Sequence, residues 1–238
     1  YIMALPKVNQ VEYSVELPLS KIEVTYHPFT VKEQKMLLTA LEEGSAEVLS
    51  RALINITEHC VTSELDVREI PGPDLEYLFL KIRVKSVGET TRVRYTCVEC
   101  DAPNEVEIDL EEVTVSEGSM EKTTIALTDD VGLTLRPPSF GVVEDALKGI
   151  TELSAMQLLE IIALCIESIY DPDTVHNRSD FNENELMEFL DGLSTEQFNL
   201  IAEYFTELPR LQMIKEFDCE KCGHHNSVDI QGLSNFFV

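Results

Sequence analysis

An α+β fold is predicted for this chain by three features of its sequence. Apolar residues alternate at its N-terminus and in two later stretches. Capped apolar stripes of helical period lie between those stretches. A strand–CxxC–strand unit occurs twice, far apart along the chain. Strands grouped at the ends and middle, with helices between, indicate α+β rather than a repeating βαβ order.

Val11, Tyr13, Val15 and Leu17 share one strand face, Pro18 to Lys21 make a turn, and Ile22, Val24 and Tyr26 resume the alternation. That is an N-terminal hairpin. Thr30 with Glu33 three residues later forms a capping box for a helix carrying Met36, Leu37, Ala40 and Leu41, ended by Gly44. A second helix from Ala46 carries Val48, Leu49, Ala52, Leu53 and Ile56. Pro71-Gly72-Pro73 breaks the chain, and Asp74 is placed as the cap of a third helix, Leu75 to Ser86, closed by Gly88. Thr91–Thr96 and Glu105–Val115 read as strands, and Thr123–Leu127 with Gly132–Leu135 as a hairpin turned by Asp129-Asp130. Beyond Pro137-Pro138 helices are expected: Ser154 to Tyr170, then two more opened by Asn182/Glu185 and Ser194/Gln197. Pro209 stops the last of these, and Leu211–Phe217 leads as a strand into the second CxxC.

The expected organisation is one composite domain over 1–238. Its subregions are a hairpin with helices (1–90), a first knuckle with hairpins (91–138), a helical insertion (139–208) and a second knuckle (209–238).

The chain has 238 residues and is 44% apolar, enough for a substantial core, and with no Trp and 7% aromatics that core is aliphatic. Forty-four acidic against 18 basic residues give a net charge of −26, which repels phosphate backbones. The densest basic stretch, Lys81, Arg83 and Lys85, falls on a predicted helix. No apolar run approaches the roughly 20 residues that span a bilayer. Tyr1-Ile2-Met3-Ala4-Leu5-Pro6 lacks the basic segment and apolar core of a secretory signal, with Met3 the expected natural start. A cytosolic, reducing location is therefore expected, where paired cysteines are more often metal ligands or redox groups than disulfides.

The repeat is close. Tyr95-Thr96-Cys97-x-x-Cys100-x3-Asn104-x-Val106-x-Ile108 matches Phe217-Asp218-Cys219-x-x-Cys222-x3-Asn226-x-Val228-x-Ile230. A two-cysteine turn between strands places two thiolates on one edge of a tetrahedron, and Zn²⁺ needs four. Cys97, Cys100, Cys219 and Cys222 are thus the expected ligands of one structural Zn²⁺, in a zinc-ribbon-like β unit built from two distant knuckles. Thioredoxin-like exchange needs the first Cys at a helix N-terminus, whereas each CxxC here leads into a strand. His224 and His225 follow the second knuckle closely enough to replace a cysteine, but four thiols already complete the set. Cys60 and Cys165 lie in apolar stripes and read as buried hydrophobes. His27, His59 and His176 are isolated, and no phosphate loop, nucleophile elbow or HExxH occurs. The Asp171-Pro172-Asp173 and Asp180/Asn182/Asn184 clusters invite a calcium reading, but the second lacks the Gly at the sixth loop position and a properly spaced acid, so helix capping explains it better. A non-enzymatic binding or structural protein is expected. The competing readings are a zinc-ribbon protein associated with nucleic acid, which the charge opposes, and a disulfide oxidoreductase.

Four segments carry a family resemblance: Ala4-Leu5-Pro6-Lys7-Val8; Tyr26-His27-Pro28-Phe29-Thr30-Val31-Lys32-Glu33-Gln34-Lys35; Glu76 through Glu89; and Val228-Asp229-Ile230-Gln231-Gly232-Leu233-Ser234-Asn235-Phe236-Phe237. In order along the chain they resemble the baseplate hub subunit, or hub assembly protein, of T4-like contractile-tailed phages. The resemblance implies a role in building the central hub of the tail baseplate, with other tail or baseplate hub proteins as partners; the charge and the short apolar runs make nucleic acid and membrane unexpected partners. It also implies location in the host cytoplasm during assembly or in the virion tail baseplate. It does not itself demand the four cysteines.

Overall fold

The computed structural model describes residues 10–146 and 155–236, so the Ala4–Val8 segment, Phe237 and the expected helix start at Ser154 lie outside the described residues. The N-terminal hairpin forms as the alternation requires, with β1 (Tyr13–Glu16) antiparallel to β2 (Glu23–Tyr26) and Val15 opposite Val24. Leu17, Val24 and Tyr26 are buried. Val11 and Ile22, expected on the same face, are 64% and 40% exposed because they lie outside the paired residues.

The capping box at Thr30 opens α1 (Val31–Glu43), and Gly44 closes it at φ 66°, a left-handed conformation that suits glycine. Leu37 and Ala40 are buried while Leu41 is exposed. The next helix, α2 (Ala46–Cys60), packs on α3 (Gly72–Val87). Leu75, Leu78, Phe79, Leu80 and Ile82 of α3 are all fully buried, so this helix is covered on most sides and forms the centre of the first core.

Asp74 is not the cap of α3; the helix begins two residues earlier, at Gly72 after Pro71. From the first helical turn its fully buried carboxylate accepts the backbone N–H of Leu19 at 2.9 Å and of Ser20 at 2.8 Å. The hairpin turn is thereby fastened to the helix start. Asp74→Ala strands both N–H groups and is expected to cost about 2–3 kcal/mol. Urea unfolding would measure it, and an unchanged midpoint would show that the turn is held by packing alone.

Beyond α3 come β3 (Thr90–Thr96), β4 (Pro103–Asp109) and the short β5 (Thr114–Val115); the strand expected to run to Val115 breaks at Leu110–Val113. The predicted hairpin is β6 (Thr123–Ala126) with β7 (Gly132–Leu135). Then follow α4 (Phe140–Ala146), α5 (Ala155–Cys165), β8 (Ile166–Tyr170), β9 (Val175–Asn177), α6 (Glu183–Asp191) and α7 (Thr195–Thr206). Asn182 and Ser194 make the predicted capping boxes of α6 and α7.

The expected helix over Ser154–Tyr170 stops at Cys165, and its last five residues are a strand. β-Branched Ile166 and Ile169 and aromatic Tyr170 favour the pleated conformation, and pairing with β7 on one side and β9 on the other satisfies the strand's amides, with Ile166 buried. The stretch expected as a helical insertion therefore contributes β8 and β9 to a four-stranded sheet of order β6-β7-β8-β9. Gly132 permits this pairing: a Cβ there would lie 2.3 Å from the Tyr170 hydroxyl and 2.4 Å from the Ile125 carbonyl oxygen.

The chain ends in β10 (Leu211–Asp218) and β11 (His225–Gln231), which join β5 in a three-stranded sheet of order β11-β10-β5. Two cores result. One gathers the β1–β2 hairpin, α1 to α3 and the inner faces of β3, β4, β10 and β11. The other gathers Leu133 and Leu135 of β7 with Ile162 of α5, Leu186 of α6 and Ile201 of α7. Ser116 and Arg210 bind the two chain crossings between them: Ser116 N–H donates to Arg210 O at 2.8 Å, and Arg210 N–H to Ser116 Oγ at 2.9 Å.

Candidate metal centre

The two CxxC turns are built alike. In the first, Cys97 N–H donates to Ala102 O at 2.9 Å, and Asp101 N–H to Cys97 O at 3.0 Å. In the second, Cys219 N–H donates to His224 O and Gly223 N–H to Cys219 O, both at 2.8 Å. Each turn closes through a left-handed residue, Asp101 at φ 55° and Gly223 at φ 71°. Such a turn directs both thiols of its knuckle to one side.

The repeated asparagines join the turns reciprocally. Asn104 donates from Nδ2 to Ala102 O in its own turn and accepts Glu220 N–H of the other turn at 3.0 Å. Asn226 donates to His224 O and accepts Val98 N–H at 3.2 Å. Both side chains are buried, and Tyr95 stacks on Phe217 beneath them with centroids 6.3 Å apart. The result is a local pseudo-two-fold arrangement. The matched Asn in the repeat was the signal for this role, although sequence reasoning assigned it none.

The four predicted cysteines come together. Cys97 and Cys222 sulfurs are 3.7 Å apart, as are those of Cys100 and Cys219, and all four lie within 4.8 Å of one another. A tetrahedron of Zn–S bonds of about 2.3 Å has an S···S edge of about 3.8 Å. All four are free thiols, well beyond disulfide distance. The cluster can therefore hold a metal ion. The N–H of Cys222, with that of Lys221, holds the Cys219 thiol down to about 6 against the opposing effect of burial. Cys97 is also lowered: burial raises it, but the Glu99 and Cys100 amides outweigh this. Cys222 is pushed up to about 12; the His224 amide pulls it down, but the neighbouring sulfurs and burial prevail. Deprotonation of one sulfur is thus opposed by the sulfurs beside it.

The other expected positions lie elsewhere. His225 turns from the sulfurs to Asp218, 2.8 Å away, whose carboxylate raises the imidazole pKa. His224 contributes its carbonyl to the turn. Cys60 and Cys165 are buried, and desolvation pushes both thiols up to about 12. Lys81 and Lys85 both pair with Glu111, and Arg83 donates to Gly88 O, so the basic stretch is bonded within the fold. Asp171 accepts the N–H groups of Asp173 and Thr174, as a turn cap does. Among the described residues no helix is long and apolar enough to cross a membrane.

The chain is 24% identical over 226 residues to the baseplate hub assembly protein gp26 of Enterobacteria phage T4, covering 95% of this chain and 98% of that protein. No solved structure matches it. The sequence profile of the family described as T4 bacteriophage base plate protein matches residues 10–238, through both knuckles and everything between them. By that near-complete match the chain belongs to the T4 bacteriophage base plate protein family.

Proposed function

We propose that the chain is a non-enzymatic component or assembly factor of a phage baseplate hub, stapled by one structural Zn²⁺ on Cys97, Cys100, Cys219 and Cys222. The observation that carries the zinc reading is the pair of 3.7 Å cross-knuckle sulfur distances within a four-thiol cluster. Four protein thiolates complete a tetrahedral site, which suits a structural rather than a hydrolytic ion. The hub reading is supported by similarity to a hub assembly protein along almost the whole chain. Its partners are other baseplate hub proteins, met in the host cytoplasm during assembly and in the virion tail. The chain acts as one composite domain: a hairpin with helices, two knuckles forming a zinc-ribbon-like unit, and the segment inserted between them.

Elemental analysis of the purified protein should give about one zinc per chain. Absence of zinc together with four titratable native thiols would remove the metal claim. Affinity capture from infected-cell lysate should return a tail protein as the dominant prey; a ribosomal or DNA-bound set instead would overturn the assembly role.

A further inference from the structure

Among the described residues β6 is the outermost strand of its sheet, with no strand on its far side. Leu127 N–H donates to Val131 O at 2.9 Å, which makes those residues a hydrogen-bonded pair. Antiparallel pairs alternate in bonding, and the register runs Ala126↔Gly132, Ile125↔Leu133, Thr124↔Thr134. The N–H and C=O groups of Thr124 and Ala126 therefore point away from β7, toward the open edge.

Alongside lies a groove of about 920 Å³ between β6, α7 and the crossing at 116–119. Its apolar strip is Ile125, half-buried, and Leu200, 43% exposed. Exposed Glu117, Glu203 and Glu207 line it, and none is ion-paired with a described residue. The basic lining residue, Arg210, is already committed to the Thr206 carbonyl and to Gln231 Oε1.

We propose that this groove takes an extended basic segment of a partner protein, added as a fifth strand along β6. The open edge supplies main-chain hydrogen bonds, and alternation of side chains does the rest. Side chains of the segment on the Ile125 face point into the groove toward α7, so Lys or Arg at those alternate positions lay their methylene stems over Ile125 and Leu200 and reach Glu203, Glu207 and Glu117, while the residues between them point to the other face of the sheet. A second copy of this chain is a poor occupant, since two chains of charge −26 repel. The inference rests on the reading of the chain as a protein-binding assembly component, and names the chemistry of what it binds.

The probe is a fluorescent peptide of about nine residues alternating Lys and Val, a length that spans a strand. Anisotropy with the whole protein should show saturable binding. A block-ordered peptide of the same composition should bind at least tenfold more weakly. The double change Glu203→Gln with Glu207→Gln, and separately Ala126→Pro, should each weaken binding at least tenfold. Proline at 126 removes an outward N–H and no ladder bond, and edge positions tolerate it. As a check that needs no variant, peptides N-methylated on one or the other set of alternate amides should differ sharply in affinity. Equal binding of the block, alternating and both methylated peptides would reduce the effect to unspecific charge attraction and overturn the proposal. So would self-association of the native chain that Ala126→Pro abolishes. Failed peptide binding with intact capture of tail proteins overturns the groove and leaves the assembly role standing; intact peptide binding without capture does the reverse.

Discussion

Cys219→Ser is expected to lower the thermal midpoint by roughly 8–20 °C while most of the helical signal survives. The sulfurs brought together lie 119 and 125 positions apart, so a metal ion shared by them, as proposed, would close a very long loop. In the chain-entropy picture a cross-link over about 100 residues contributes about 4–5 kcal/mol, and each kcal/mol moves the midpoint of a domain this size by about 2–4 °C. Small zinc peptides unfold outright without metal because the ion supplies about 10–16 kcal/mol of apparent binding energy and little else holds them. Here α1 to α3 and α5 to α7 bury their own apolar faces in two cores. Loss of the site should instead fray the far end of the β10–β11 ribbon, whose near end is anchored by buried Leu211, Met213 and Ile230. Limited trypsin digestion should therefore cut first after Lys215 and Lys221, and chelation of the native protein should give the same pattern. Wild-type resistance in the variant would mean that the cysteines do not act jointly. Complete unfolding would mean that the helical cores depend on the staple.

Phe79→Ala should destabilise the first core by about 3–5 kcal/mol, the usual cost of emptying a fully buried aromatic site. Phe79 is 0% exposed at the middle of α3, its ring 5.6 Å from that of Phe29. Its neighbours along α3 are themselves fully buried, so there is little freedom to collapse into the gap. Hydrogen exchange read by mass spectrometry should show lost protection in α1 to α3 and the β1–β2 hairpin, with amides around Leu133, Ile162 and Ile201 holding. Equal loss in both cores would identify a single cooperative unit.

What could be read from the sequence was chiefly what is local. The boxes at Thr30, Asn182 and Ser194 need only side chains three residues apart, and each opens its helix as expected. The knuckles were legible because a repeated spacing survives the long separation. Ile166–Tyr170 was misread because an apolar run carries no record of whether a neighbouring strand awaits it; pairing with β7 decided the conformation. Asp74 beside Pro71-Gly72-Pro73 looks like a cap, and only the fold brings Leu19 and Ser20 to its carboxylate. The groove beside β6 had no sequence signal, being assembled from the ends of elements that are distant in the chain.

The separation of the two knuckles also sets a timetable. A bacterial ribosome adds about 5–20 residues per second, so the 119 positions from Cys100 to Cys219 take roughly 6–24 s to synthesise. During that interval Cys97 and Cys100 exist as a half-cluster, and Asn104 has no Glu220 amide to accept. The second core, whose residues lie between the knuckles, can collapse while the nascent chain waits. A newly made molecule is consequently least protected at its first pair of thiols, and brief oxidant exposure early in synthesis should damage it far more than the same exposure once the chain is complete.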